Sequence, residues 1–143
     1  MFIGEYHHNI DDKSRLQVPA KWRIQLEHGA VLTKGFDGSL KCYPLTVWQE
    51  IAGKLAALPQ ADPTARAYVR QTLAGAVDVE LDKLGRIVVP GYLKTYAALG
   101  KPAVLAGLSD HFEVWDELGW QKYMEGIDVS GTEAGAALST IGI

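Results

Sequence analysis

The chain states one phrase twice. Asp-x-x-x-Arg-apolar-x-Val-Pro occurs as "DDKSRLQVP" over residues 11–19 and again as "DKLGRIVVP" over residues 82–90. At that same offset of 71, Gly4 matches Gly75, Ile10 matches Leu81, Leu16 matches Ile87 and Gly29 matches Gly100. Past a short insertion, "AVLT" (30–33) is answered by "AVLA" (103–106). "YPLTVW" (43–48) is answered by "WDELGW" (115–120), with aromatic residues five apart in both. One supersecondary unit is therefore duplicated, and its copies cover most of residues 3–127. A unit of about 55–60 residues is too small to bury a good core by itself. Two in tandem, packed about a pseudo-twofold axis, supply each other's missing face.

Each copy reads the same way along the chain. "FIGEYHHNI" and "GAVDVEL" alternate apolar and polar residues as half-buried strands do. Asp-Lys-x-Gly (82–85) is turn chemistry, because Gly85 takes positive φ at no steric cost, whereas Ser14 suits the matching place less well. "RLQVP" and "RIVVP" are return strands that end at prolines unable to donate to a ladder. Pro19 and Pro90 fit the first turn of a short helix, with Gly29 and Gly100 as its C-terminal caps. A further strand pair follows in each copy, "AVLTKG" with "SLKCYP" around "FDGS", and "AVLAGL" with "HFEVWD" around "LSDH". Thr46 and Gln49 form a candidate capping box for a helix over about 47–57, and Asp116 a cap for its counterpart. Between the copies Asp62-Pro63 opens a helix with Tyr68, Val69, Thr72 and Leu73 on one side, ending at Gly75. The expected division is a first repeat over 1–58, a connecting helix over 59–73, a second repeat over 74–127 and a flexible tail over 128–143. The small and polar residues of that tail also allow a weak terminal helix.

Composition narrows the function. Hydrophobic residues make up 48% of the chain, with four Trp, six Tyr and three Phe, enough for a real core. No apolar run approaches the ~20 residues of a membrane-spanning helix. The opening "MFIGEYHHNID" lacks the basic region and apolar stretch of a secretory signal, so a soluble, cytoplasmic protein is expected. The single Cys42 forms no intramolecular disulfide and anchors no Cys-based metal site. His7 and His8 are adjacent on a strand, so their rings point to opposite faces and do not chelate together. No Gly-rich phosphate loop, metalloprotease helix motif or nucleophile elbow is present. Asp11 and Asp12 read as ordinary turn neighbours. The expectation is a protein that is not an enzyme, with no catalytic residue, metal, cofactor or small-molecule substrate. A net charge of −3 argues against indiscriminate coating of nucleic acid, yet Lys13, Arg15, Lys21 and Arg23 fall within eleven residues. Phosphate contacts depend on where such residues sit, not on the total.

"MFIGEYHHNIDDKSRLQVPAKWR", "YPLTVW", "ELDKLGRIVVP" and "FEVWDELGW" stand in an order and spacing, over about residues 1–127, that resembles the MraZ family of bacterial transcriptional regulators. The tail carries none of the resemblance. The resemblance implies a mostly β fold with short helices (α+β), a tandem duplicated swapped-hairpin barrel of the AbrB type with pseudo-twofold symmetry. It implies a homo-oligomeric ring, such as an octamer or dodecamer. It also implies sequence-specific binding of double-stranded promoter DNA at short repeated boxes upstream of the regulator's own division and cell-wall gene cluster. Repression and a nucleoid-associated place in the cytoplasm follow from the same likeness.

Carried over residue by residue, the DNA-contact role attaches to Arg15 and Arg86, with Lys13, Lys83, Lys21 and Arg23 around them and Asp11 and Asp82 as orienting groups. Arg offers a planar fork for guanine O6 and N7 or for a phosphate, and Lys supplies a point charge. A hairpin tip is narrow enough to enter a major groove. The carboxylates are poor phosphate neighbours, so they are expected to bond turn amides or hold the Arg side chain. Arg15 leads, because Lys13, Lys21 and Arg23 are near it in sequence, while Arg86 has only Lys83 and Lys94. Where the family usually has Gly before the first Arg, this chain has Ser14. The exposed member of His7 and His8 is a candidate to approach DNA. One tip buries far less than the ~1,000 Å² of a specific protein–DNA interface, so several tips on one ring would gain through effective concentration. Trp48, Trp115, Trp120, Tyr43 and Phe112 are candidates for ring interfaces, although core packing is the commoner use. The competing reading is an antitoxin-like dimer of the same barrel whose partner is a protein. Two folded units and a short, nearly uncharged tail favour the regulator.

Overall fold

The computed structural model describes residues 1–127 and 131–143. The first copy contains β1 (Glu5–Asn9), β2 (Arg15–Gln17), a 3-10 segment (Ala20–Leu26), β3 (Ala30–Lys34), β4 (Leu40–Pro44) and α1 (Leu45–Ala56). α2 (Pro63–Val69) runs into a π-helical turn (Arg70–Ala74) and joins the copies. The second contains β5 (Val77–Val79), β6 (Arg86–Val88), α3 (Gly91–Tyr96), β7 (Pro102–Gly107), β8 (Phe112–Asp116) and α4 (Glu117–Glu125), and α5 (Thr132–Ser139) follows.

The strand order is β1-β7-β8-β4-β3-β5 in a six-stranded antiparallel sheet, and β2 pairs with β6 in a separate two-stranded ribbon. Read from either end, the large sheet gives the same succession of equivalent strands. The pseudo-twofold axis passes between β8 and β4, where Lys41 faces Glu113, and between β2 and β6, where Leu16 faces Ile87. Each copy's first strand joins the other copy's hairpin, β1 beside β7 and β5 beside β3. The swap therefore takes place within one chain. The return strands do not pair with the strands before them; they pair with each other. Leu16, Val18, Ile87 and Val89 explain this, because all four are fully buried where the ribbon crosses and one copy alone would leave them wet. Each such side chain contributes about 1.5–3 kcal/mol when buried. The fold is thus the expected duplicated, antiparallel α+β arrangement with short helices. The expected barrel does not close, however: β1 and β5 end the sheet as edges, and the ribbon stands apart.

Phe2, Tyr6, Trp22 and Phe112 form an aromatic cluster under the sheet, with Trp22 stacked on Phe112 at 5.1 Å and Phe2 edge-on to Trp22 at 5.5 Å. The aromatics five apart pack helix to strand in both copies, Tyr43 against Trp48 at 5.9 Å and Trp115 against Trp120 at 5.4 Å. Burial pushes the Tyr43 phenol up to about 12. Core packing, rather than an exposed apolar patch, accounts for Phe112, Tyr43 and Trp115, which are all buried.

Helix ends differ from expectation in two places. α1 begins at Leu45 with Pro44 as its cap and no side-chain bond, so Thr46 and Gln49 form no capping box. Pro44 closes β4 and turns the chain directly into the helix, which leaves Thr46 inside the first turn. Asp116 holds the equivalent place in the second copy and does cap α4, accepting from the Gly119 amide at 3.2 Å and from the Gly100 amide at 3.0 Å. Gly29 takes positive φ as expected (+102°), but in the second copy Ala98 (+49°) does so instead of Gly100. Leu99 N donates back to Lys94 O there, which fixes the left-handed residue two places earlier. Asp62 caps α2 by accepting from Thr64 N at 2.9 Å. Residues 128–130 of the expected flexible tail lie outside the described residues, and α5 supplies the terminal helix. Among the described residues no helix is long and apolar enough to cross a membrane.

Candidate nucleic-acid interface

Both Asp-x-x-x-Arg segments fold into the same turn, built by the aspartate. Asp11 Oδ1 accepts from the amides of Lys13 and Arg15, each at 2.9 Å, and Asp82 Oδ1 accepts from those of Leu84 and Arg86, each at 2.9 Å. The other carboxylate oxygen accepts from Nε of the turn's own arginine, at 2.6 Å for Arg15 and 2.8 Å for Arg86. Backbone bonds close the loops alike, Ser14 N to Asp11 O and Gly85 N to Asp82 O, each at 3.0 Å. These donors, the arginine's own backbone amide first, hold both carboxyls below the ordinary aspartate value. Asp11 and Asp82 each thus bond two amides of their turn and the Nε of its arginine. Ser14 adopts φ +61° beside the +78° of Gly85, so the turn forms with serine in place of glycine.

The two guanidinium groups meet at one oxygen. Asp11 Oδ2 binds Arg15 Nε and also lies 4.0 Å from Arg86 Nη1. The Nη groups of Arg15 find no acceptor among the described residues, and its side chain is 32% exposed against 24% for Arg86. Lys13, Lys21 and Lys83 are exposed.

Neighbours in sequence are not neighbours in space. The crossing of β2 and β6 sets each turn beside the strand end of the other copy, with Val18 N donating to Gly85 O at 2.9 Å and Val89 N to Ser14 O at 2.8 Å. Arg23 consequently lies over Gly85 of the second turn, its Nε donating to Val18 O at 3.0 Å. Lys94 donates to Ser14 Oγ of the first turn at 3.0 Å. Gln17 Nε2 reaches Leu84 O at 2.7 Å. Lys94 and Gln17 were not among the expected site residues. The repeat held a signal for the first of them, since Arg23 and Lys94 are equivalent cationic positions at the offset of 71.

Of the two histidines, His7 is the exposed one, but it faces acid. Its ring nitrogens lie 3.0 Å from Glu117 and 2.8 Å from Glu5, while Trp120 Nε1 donates to Glu5 at 3.0 Å. Glu117 foremost, then Glu5, raises the His7 pKa. A ring gripped by two carboxylates is a poor phosphate ligand, so the expectation that the exposed histidine approaches DNA gives way. His8, half-buried, shares a shallow groove with Gln17, Lys21 and Arg23. Cys42 is buried and its thiol is pushed up by that burial, away from nucleophilic use. Among the described residues no group of His, Cys, Asp and Glu has the arrangement of a metal site.

Comparison with known proteins places this chain in a family. The family described as "MraZ protein, putative antitoxin-like" matches twice, over residues 1–71 and 72–139, in agreement with the duplication. The "Transcriptional regulator MraZ" of Herpetosiphon aurantiacus is 43% identical over 143 residues, covering 100% of both chains. That of Roseiflexus castenholzii is 43% identical over 132 residues, or 92% of each chain, and that of Moorella thermoacetica 47% identical over 123 residues, or 86% of each. On this likeness across the whole chain, and on the two matching repeats, the chain belongs to the MraZ family, whose compared members bear the name transcriptional regulator.

Proposed function

We propose that this chain is a transcriptional regulator that binds double-stranded promoter DNA through its two Asp-x-x-x-Arg turns. It acts as a homo-oligomeric ring on short repeated boxes and represses its own division and cell-wall gene cluster, in the cytoplasm and on the nucleoid. The observation that carries the reading is the convergence of two arginines, each tethered to its turn by Nε, with the terminal nitrogens of Arg15 unspent among the described residues. Such a tether fixes the direction of the fork before DNA arrives, and the fork suits guanine O6 and N7 or a phosphate. Lys13, Lys21 and Lys83 add exposed point charges on the same body. An overall charge of −3 keeps binding confined to that local face.

Fluorescence anisotropy of the full chain on its own upstream duplex, against a scrambled duplex and over a range of salt, tests the reading. The expected preference for the upstream duplex is roughly 10³-fold or more. Light scattering on the same sample is expected to report a mass of several subunits. Equal binding to both duplexes would instead favour the second reading, a protein-interaction module, which the "antitoxin-like" wording of the family description supports.

A further inference from the structure

We propose that Arg23 and Lys94 are positioning residues, each holding the Asp-x-x-x-Arg turn of the opposite copy, so that the two turns are fixed as one unit. They are equivalent residues, at 23 and 94, in the short helical segments that follow Pro19 and Pro90. Their targets are equivalent too, Gly85 and Ser14. The chemistry at the two places differs in a complementary way. A Cβ on Gly85 would stand 2.7 Å from Arg23 Cδ and nearer still to Nε and Cζ, so the guanidinium occupies the space a side chain would need. Arg23 has little freedom to withdraw, because its Nε is bonded to Val18 O. In the other copy the slimmer Lys94 leaves room for a side chain on Ser14 and donates to its hydroxyl. Arginine thus goes with glycine and lysine with serine, and the choice at each turn is linked to a residue 62 or 80 positions away (85 − 23 and 94 − 14).

This inference uses DNA binding, as proposed above, for one of its two readouts; the other is independent of it. The test compares the full chain with Gly85→Ser, with the double variant Arg23→Lys/Gly85→Ser and with the double variant Lys94→Arg/Gly85→Ser. Amide hydrogen exchange over residues 82–86 is read without DNA, and anisotropy is read on the upstream duplex. Gly85→Ser is expected to lose exchange protection in that turn and to weaken binding roughly tenfold, as misplacing one recognition arginine does. Arg23→Lys/Gly85→Ser rebuilds the Lys–Ser arrangement of the first copy and should recover both readouts to within about threefold of wild type. Lys94→Arg/Gly85→Ser alters the sequence neighbour instead and should recover neither. A double variant with Arg23→Lys no better than Gly85→Ser alone, or equal rescue by Lys94→Arg, overturns the proposal. If wild type shows no DNA preference, the functional reading fails while hydrogen exchange still decides this one. Should Gly85→Ser not fold, the mirrored pair carries the test: Lys94→Arg should loosen residues 11–15 and Ser14→Gly added to it should restore them, and no change in either overturns the proposal.

Discussion

The two turns share a skeleton and differ in what they show to solvent. Asp11 and Asp82 bind the same two amides and the same arginine nitrogen to within 0.2 Å. Beyond that skeleton the first tip carries Asp12, Lys13 and Ser14, and the second carries Lys83, Leu84 and Gly85. Leu84 is an exposed apolar residue where the first copy has an ammonium group. Arg86 is less exposed than Arg15 and has a second carboxylate within 4.0 Å. The difference teaches which constraints survive duplication. Bonds that build the turn are local, made by each copy's own aspartate within four residues, and persist in both copies, whereas outward side chains are free to diverge. It also leaves Arg15 the more exposed arginine, at 32% against 24%, which is why the proposed function puts it first.

The comparison breaks most readily at the axis. Leu16→Ala and Ile87→Ala remove side chains that face each other with no exposure, so each should cost about 2–5 kcal/mol in urea unfolding, and similar amounts. A large cost for one and a negligible cost for the other would mean the copies do not share this core. Next comes the left-handed position. Gly85→Ser should cost about 1–2 kcal/mol, from its left-handed backbone conformation and crowding by Arg23 together. Ser14→Gly, which relaxes that conformation but gives up the bond to Lys94, should stay within about 0.5 kcal/mol of wild type. The caps give a smaller contrast: Asp116→Ala should cost about 1 kcal/mol, while Thr46→Ala, which breaks no capping bond, should be neutral in thermal unfolding.

Titration separates the copies last. The carboxyls of Asp11 and Asp82 both lie below their usual 3.8, so their contribution is present above that pH and fades as pH falls through the lowered folded values. Asp11→Asn and Asp82→Asn should each flatten the acid limb of the melting-temperature profile. His7 behaves oppositely and in one copy alone, since Asp78 holds its equivalent place. Its pKa is raised above 6.5, so its contribution is complete below that value and is lost as pH rises through the folded one. His7→Gln should remove that fall in melting temperature, and Asp78→Asn should leave it.

Local signals in the chain proved legible, and so did its symmetry. The offset from Asp11 to Asp82 foretold the duplicated fold, the paired turns and the aspartates' bonding, because each depends on residues close in sequence or on the repeat itself. Asp62-Pro63 and Asp116 capped their helices for the same reason. The crosswise partners were not legible from charge runs: Arg23 reads as a neighbour of Arg15 yet lies on Gly85, since strand pairing joins residues far apart along the chain. "RLQVP" likewise reads as a return strand to β1, a local hairpin being the simplest pairing, until the burial of Leu16 against Ile87 requires the other copy. Thr46 with Gln49 has the pattern of a capping box but follows Pro44, whose fixed φ of −55° starts the helix first.

The most direct test of the central claim, that the paired turns are the DNA-binding device and the first leads, is anisotropy on the upstream duplex with wild type, Arg15→Ala and Arg86→Ala across a salt series. Arg15→Ala should weaken specific binding by about 10- to 100-fold and Arg86→Ala by several-fold less, as loss of one recognition arginine costs ~1–3 kcal/mol. The log–log salt slope should flatten by ~0.9 for each phosphate contact removed. Three proteins that bind alike, or a loss confined to Arg86→Ala, would contradict the account.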